Sequence, residues 1–156
     1  MQRVLLRVTC CPGRALHAPI IGYCKTAFSM LAIKVSEFGS PDVLKIAHIE
    51  TPRIRPTEVL VRLHAAGVNP VDTYIRSGNY GKLPQLPYVP GLDGAGIVEA
   101  VGAEVSSYVA GDRVYVAGSS GTYAQFAACD ETMVHRLPMS LSFEEGAGIG
   151  SPYSTA

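Results

Sequence analysis

Charge is what this sequence has little of. Only 17% of its 156 residues are Asp, Glu, Lys or Arg, and thirteen basic residues balance thirteen acidic ones. With 47% hydrophobic residues beside so little charge, the chain has the composition of a folded domain and not of a disordered one. It carries no overall basic field of the kind that draws nucleic acid or an anionic membrane surface. No apolar run approaches the roughly 18–20 residues needed to span a bilayer, so an integral membrane helix is excluded. The sequence also lacks a P-loop, an H-E-x-x-H pair and a G-x-S-x-G elbow. No period of roughly 20–50 residues repeats, which excludes a solenoid or propeller.

What is present favours strands. Sixteen glycines and eleven prolines suit a turn-rich fold better than a helical bundle, and the length suits one domain. The balanced charge hides an asymmetry. Residues 1–29 carry Arg3, Arg7, Arg14 and Lys25 with no acid, whereas residues 30–156 carry nine basic and thirteen acidic residues. Cys10, Cys11 and Cys24 fall in the same first segment, leaving Cys129 alone in the body. An acid-free, Arg-bearing start has the composition of a mitochondrial presequence. The other reading is a non-native extension ahead of a start at Met30, and that reading gives a cytoplasmic protein. Under either one, residues 1–29 stand outside the fold. The cysteines have no zinc-ligand spacing. Cys129 lies in an apolar stretch and reads as a small core residue in a reducing compartment.

Along the body, alternating apolar residues predict strands over 32–37, 43–49, 58–68, 95–101, 112–117, 123–128 and 133–137, in a set of about eight. Gly39-Ser40-Pro41-Asp42 is a turn. Asn69-Pro70-Val71-Asp72 opens a short helix, with Asn as N-cap and Pro at the first helical position. The helix ends near Ser77-Gly78, and a Tyr-, Pro- and Gly-rich loop runs over 79–90. Ser142, followed by Glu144 and Glu145, opens a last helix. The fold class is mainly β with short helices, arranged as a partly open β-barrel.

Gly91-Leu92-Asp93-Gly94-Ala95-Gly96 has the glycine content of a phosphate loop but the wrong spacing, and a strand follows where a helix is needed. Its glycines read as devices for a bulge and close backbone packing. The four histidines, His17, His48, His64 and His135, are scattered, and each reads as a surface or core residue before a ligand. The informative stretch is Val68–Tyr80. It gathers Asn69, Asp72, Tyr74, Arg76 and Tyr80 around one short helix, a set that can hydrogen-bond a polar planar ligand. The plainer reading of the same residues is capping by Asn69 and Asp72 and packing by Tyr74.

Five segments, in order, carry a resemblance over about residues 31–156. They are Ala32–Gly39 followed by Pro41; Ala66-Gly67-Val68-Asn69-Pro70-Val71-Asp72; Tyr74-Ile75-Arg76-Ser77-Gly78 with Tyr80; Pro90–Gly96; and Gly111-Asp112-Arg113-Val114. In these the body resembles the N-terminal, GroES-like catalytic domain of the medium-chain dehydrogenase/reductase superfamily, closest to its zinc-free NADPH:quinone oxidoreductases, the zeta-crystallin group. The resemblance implies a GroES-like domain over residues 30–141 and the start of a linking helix over 142–156. A Rossmann domain is expected to follow, so the chain reads as truncated before it. Zinc-dependent relatives place a Cys and a His-Glu pair where this chain has Asn69 and Leu92-Asp93. Leu cannot ligate, so no metal is expected.

The implied reaction is hydride transfer from NADPH to a quinone or another small conjugated carbonyl. Tyr74, Asn69 and Thr155 are the cofactor-binding residues that the resemblance implies. Asn69, Tyr80 and Asp72 are the catalytic set, with helix stabilisation as the plainer role for Asp72. A phenol stays protonated near neutral pH, so Tyr74 and Tyr80 can donate to a developing oxyanion. With no strand–glycine loop–helix unit in its 156 residues, the chain is expected to be inactive, or nearly so, by itself. A homo-oligomer is the expectation for the complete enzyme. The alternatives are part of an enoyl-thioester or 2-alkenal reductase, a non-catalytic GroES-like binding module, and an unstable product of an incomplete gene.

Overall fold

The structure, a computed structural model, describes residues 28–156. The expectations for residues 1–27, the basic segment and its three cysteines, lie outside the described residues. Seven strands and three short helices follow one another: β1 (Ser29–Lys34), β2 (Lys45–Glu50), β3 (Glu58–Gly67), α1 (Pro70–Arg76), β4 (Asp93–Val101), β5 (Arg113–Val116), β6 (Phe126–Asp130), β7 (Val134–Arg136), α2 (Phe143–Ala147) and α3 (Gly150–Thr155). No helix among the described residues is long and apolar enough to cross a membrane.

β1 and β2 form an antiparallel hairpin across the predicted turn, from Ser29 opposite Glu50 to Lys34 opposite Lys45. The strand starts at Ser29, inside the segment assigned to the extension. The register explains why: Ser29 has a strand partner, and the Phe28 carbonyl accepts the Thr51 N–H at 2.9 Å and the Thr51 hydroxyl at 2.7 Å. The other five strands form one antiparallel sheet in the order β6-β3-β4-β5-β7. The 123–125 segment joins the two sheets. Ile33 N–H donates to the Tyr123 carbonyl at 2.8 Å, and Gln125 N–H donates to the Leu31 carbonyl at 3.1 Å. Tyr123 and Ala124 are therefore spent on this junction, and β6 starts at Phe126 instead of Tyr123. The result is a curled, partly open barrel.

Its core is made largely of valine. Val59, Val61, Val98, Val114, Val116 and Val134 are buried together with Leu63, Ala127 and Cys129. β-Branched side chains pack well on a pleated surface, and this sheet draws most of its interior from them. Burial pushes the Cys129 thiol up to about 11, which leaves it an inert packing group, as expected. The β3–β4 register slips between Leu63 and Ala65, opposite Gly96 and Ala95. A Cβ on Gly96 would lie 2.0 Å from the Arg62 carbonyl oxygen, so the strands can approach only because Gly96 has no side chain.

The single closing helix expected from Ser142 is in fact two. Ser142 caps α2 as read: its Oγ accepts Glu145 N–H at 3.1 Å, and the Glu145 carboxylate accepts Ser142 N–H at 2.8 Å. Gly148 ends α2, and α3 restarts at Gly150. Phe143 anchors α2 against the sheet, with the His64 ring stacked 4.5 Å away and the Arg113 guanidinium also 4.5 Å from its ring centre. Burial first, then the charge of Arg62, lowers the His64 pKa, so its ring packs as a neutral imidazole. The tight fit of α2 on β3 shows at Gly67, where a Cβ would meet the Ala147 carbonyl oxygen at 2.4 Å.

Candidate functional site

The site is built where β3 ends, β4 begins and α3 touches both. Asn69 leaves β3 in an extended conformation, and Pro70 opens α1 with its φ already fixed. Asp72, in the first turn, accepts the Asn69 backbone N–H on Oδ2 at 2.8 Å. The same oxygen accepts the Tyr123 hydroxyl at 3.0 Å. Asp72 thus ties the start of α1 to the junction between the two sheets.

Asp93 is the second carboxylate and is fully buried at 0% exposure. Its Oδ2 accepts the Asn69 side-chain N–H at 2.9 Å and the Ser151 backbone N–H at 2.8 Å, while its Oδ1 accepts Gly118 N–H at 3.3 Å. Asn69 therefore does more than cap a helix, since its side-chain amide donates to Asp93. Gly150 is where α3 comes closest, and a Cβ there would sit 2.7 Å from Asp93 Oδ1. Only a residue without a side chain lets α3 bring Ser151 N–H to the carboxylate.

Electrostatics follow from this burial. The Asp72 carboxyl is held above the usual carboxylate range, chiefly by burial, with the charge of Asp93 adding and the Asn69 and Tyr123 hydrogen bonds opposing. The Tyr123 phenol is pushed far up by burial and by the Asp72 charge beside it, so it remains a donor at any physiological pH.

Of the residues singled out in the sequence, the structure brings Asn69 and Asp72 together, both buried. Tyr74 and Tyr80 stand at the surface, 53% and 47% exposed, on α1 and in the loop beyond it. Thr155 lies at the end of α3, where its hydroxyl donates to the Ser151 carbonyl at 2.6 Å. None of these three makes a side-chain hydrogen bond to Asn69 or Asp72 among the described residues. Beside Asp72 opens a cleft of ≈ 210 Å³ walled by Ile75, Lys82, Leu83, Tyr88 and Leu92. Among the described residues, no three His, Cys, Asp or Glu side chains gather where they could hold a metal ion.

Two members of this cluster escaped the sequence. Tyr123 read as one more strand residue, because nothing nearby marks a buried hydroxyl. Asp93 did carry a signal. It is an acid enclosed by glycines at the start of an apolar strand, a place where a charge needs several donors to be tolerated.

Residues 55–139 match the alcohol dehydrogenase GroES-like domain. The quinone oxidoreductase of Lama guanicoe is 52% identical over 129 residues, covering 81% of this chain and 39% of that protein. The Pseudomonas syringae quinone oxidoreductase structure aligns with a TM-score of 0.75 at 39% identity, covering 78% of this chain and 37% of that one. The Escherichia coli quinone oxidoreductase solved with NADPH aligns with a TM-score of 0.71 at 39% identity, covering 75% of this chain and 36% of that one. The chain thus spans well under half the length of these relatives. Fold, motif order and sequence agree, and the chain belongs to the alcohol dehydrogenase GroES-like domain family of the medium-chain dehydrogenase/reductase superfamily.

Proposed function

We propose that this chain forms the substrate-side wall of an NADPH-dependent oxidoreductase that reduces a quinone or another small conjugated carbonyl. The single observation that carries this reading is the likeness to quinone oxidoreductases across four-fifths of the chain. NADPH would supply the hydride. The exposed Tyr74, the Asn69 amide at the start of α1 and Thr155 at the end of α3 would hold its nicotinamide end. The fit rests on what the structure leaves free, since neither tyrosine hydroxyl has a hydrogen-bond partner among the described residues.

Tyr80 would donate a hydrogen bond to the acceptor oxygen as negative charge grows there. Asp72 would serve by holding Asn69 and Tyr123 in place beside the cleft. The apolar wall of Ile75, Leu83 and Leu92 suits a flat, weakly polar ring. The described residues contain no strand–glycine turn–helix unit, so the dinucleotide wall of the site would come from a second domain, of the kind for which the longer relatives have room.

The test is a chimera of residues 28–156 with the C-terminal remainder of the Lama guanicoe enzyme. NADPH-dependent reduction of 1,2-naphthoquinone is the expected result, with kcat reduced about tenfold to a hundredfold by Tyr80→Phe. The 156-residue chain alone is expected to give no turnover. A folded chimera that binds NADPH yet reduces no quinone would overturn the reading.

A further inference from the structure

Asp93 gathers donors from three separate parts of the chain. One is the Asn69 side chain at the start of α1, one is Gly118 in the loop after β5, and one is Ser151 in α3. Three N–H groups face the carboxylate. A carboxylate accepts and does not donate, so only the NH2 end of the Asn69 amide can be turned toward it. The choice between the two ends of Asn69, which geometry alone leaves open, is settled by what Asp93 is.

We propose that Asp93 is a positioning residue that holds the donor end of the Asn69 amide inward and, through Ser151, ties that amide to α3. The Asn69 carbonyl oxygen then faces the Asp72 backbone N–H across the capping box of α1 and keeps a second lone pair to offer a ligand. On the quinone-reductase reading, on which this use of Asn69 rests, that oxygen suits the carboxamide N–H of a nicotinamide. It does not suit a developing oxyanion, which needs a donor, and that task falls to Tyr80. The link through Ser151 adds a coupling. α3 enters the site at Gly150, where contact with Asp93 leaves no room for a side chain, so a displacement of α3 reaches Asn69 through one shared oxygen.

The experiment is NMR of the 15N-labelled 156-residue chain, with no cofactor or substrate present. In the wild type, the Asn69 side-chain NH2 should exchange with solvent about tenfold or more slowly than that of Asn79, because its hydrogen bond is buried and that of Asn79 is exposed. Asn79 provides the reference because its amide donates only to the exposed Ser77 hydroxyl, at 3.3 Å. The Asn69 NH2 protons should also show a nuclear Overhauser contact to the Ser151 amide proton, since both donate to Asp93 Oδ2.

Asp93→Ala, which removes both acceptor oxygens, should abolish most of the tenfold protection while the amide signals of Val61 and Val98 persist. Ser151→Pro, which removes the N–H, should shift the Asn69 NH2 signals and speed their exchange severalfold. Ser151→Ala, which keeps the N–H, should leave them unchanged. An Asn69 amide that exchanges as fast as Asn79 in the wild type would overturn the proposal, as would one indifferent to Ser151→Pro in a folded chain. Neither result depends on turnover, so the quinone-reductase reading stands or falls separately.

Discussion

The two ends of the barrel are held by different physics. One end is the valine interior of β3–β7, where Val59, Val61, Val98, Val114 and Val116 interlock with no polar group among them. The other is the corner where α1, β4 and α3 meet, stitched by the Asp72 and Asp93 carboxylates and the Asn69 amide. Burial of apolar surface is non-directional, so the first end tolerates exchange of one aliphatic shape for another. Hydrogen bonds to a buried carboxylate have fixed directions and fixed donors. The second end therefore has few acceptable substitutions, and it is the end that presents Asn69.

The largest expected effect lies where the valine end is most tightly closed. Gly96→Ala puts a Cβ 2.0 Å from the Arg62 carbonyl oxygen, a backbone atom with no room to retreat. We expect a loss of about 3 kcal/mol or more, or failure to fold cooperatively, read by urea unfolding. A stable Gly96→Ala chain would mean that the β3–β4 bulge slides and that the valine end is softer than its packing implies. Next comes Val61→Ala, which opens a cavity in the same interior. Its expected cost is about 2 kcal/mol with an unchanged denaturant slope. An effect below about 0.5 kcal/mol would show that the sheet collapses onto the gap.

At the stitched end, Tyr123→Phe keeps the ring and removes one donor to Asp72 Oδ2, leaving the Asn69 N–H there. A hydrogen bond to a charged group is worth roughly 1.5–3 kcal/mol, and relaxation at this partly buried site puts the expected loss near the lower bound. The same change should raise the Asp72 carboxyl further, because one of the two hydrogen bonds that oppose its burial is gone. Carbon-detected NMR of the Asp72 carboxyl reads that shift directly. If stability holds and the carboxyl does not move, Tyr123 acts by packing alone, and the contrast between the two ends weakens.

The valine end was legible in the sequence and the stitched end was legible only in part. Alternation along Glu58–Val68 and Ala95–Val101 has a period of two, and period two can be read without knowing any partner. The Ser142 capping box is equally local, with its bonds only three residues apart. The bonds that build the site are not local. Tyr123 reaches Asp72 across 51 residues, and Ser151 reaches Asp93 across 58. No local pattern records a contact of that span. The break between α2 and α3 was missed for the same reason. The glycines at 148 and 150 are visible in the sequence, but the need to bring Ser151 N–H against Asp93 is a tertiary fact. Asn69 and Asp72 were found because their pairing is a helix start, and their second partners were not.

The smallest expected effect sharpens the comparison most, because its sign separates the two kinds of stabilisation. Asp72→Asn removes a charge and keeps an oxygen that can accept from both Asn69 N–H and Tyr123 O–H. Burial raises the Asp72 carboxyl above its unfolded range, so the folded chain binds that proton more tightly than the unfolded one. Stability from this group is therefore greatest below the unfolded carboxyl pKa. It falls as pH rises toward the folded value and stays low above it. At pH 7 the Asn variant should be as stable as the wild type or more so, by up to about 1 kcal/mol, with the difference vanishing below about pH 4. Urea midpoints at several pH values measure it. A variant that is less stable at pH 7, by an amount that does not change with pH, would mean that the Asp72 bonds outweigh its desolvation. The stitched corner would then stabilise the fold as the valines do. The expected sign makes the buried charge a cost carried by the fold at the very corner where Asp72 and Asp93 bind the Asn69 backbone and side chain.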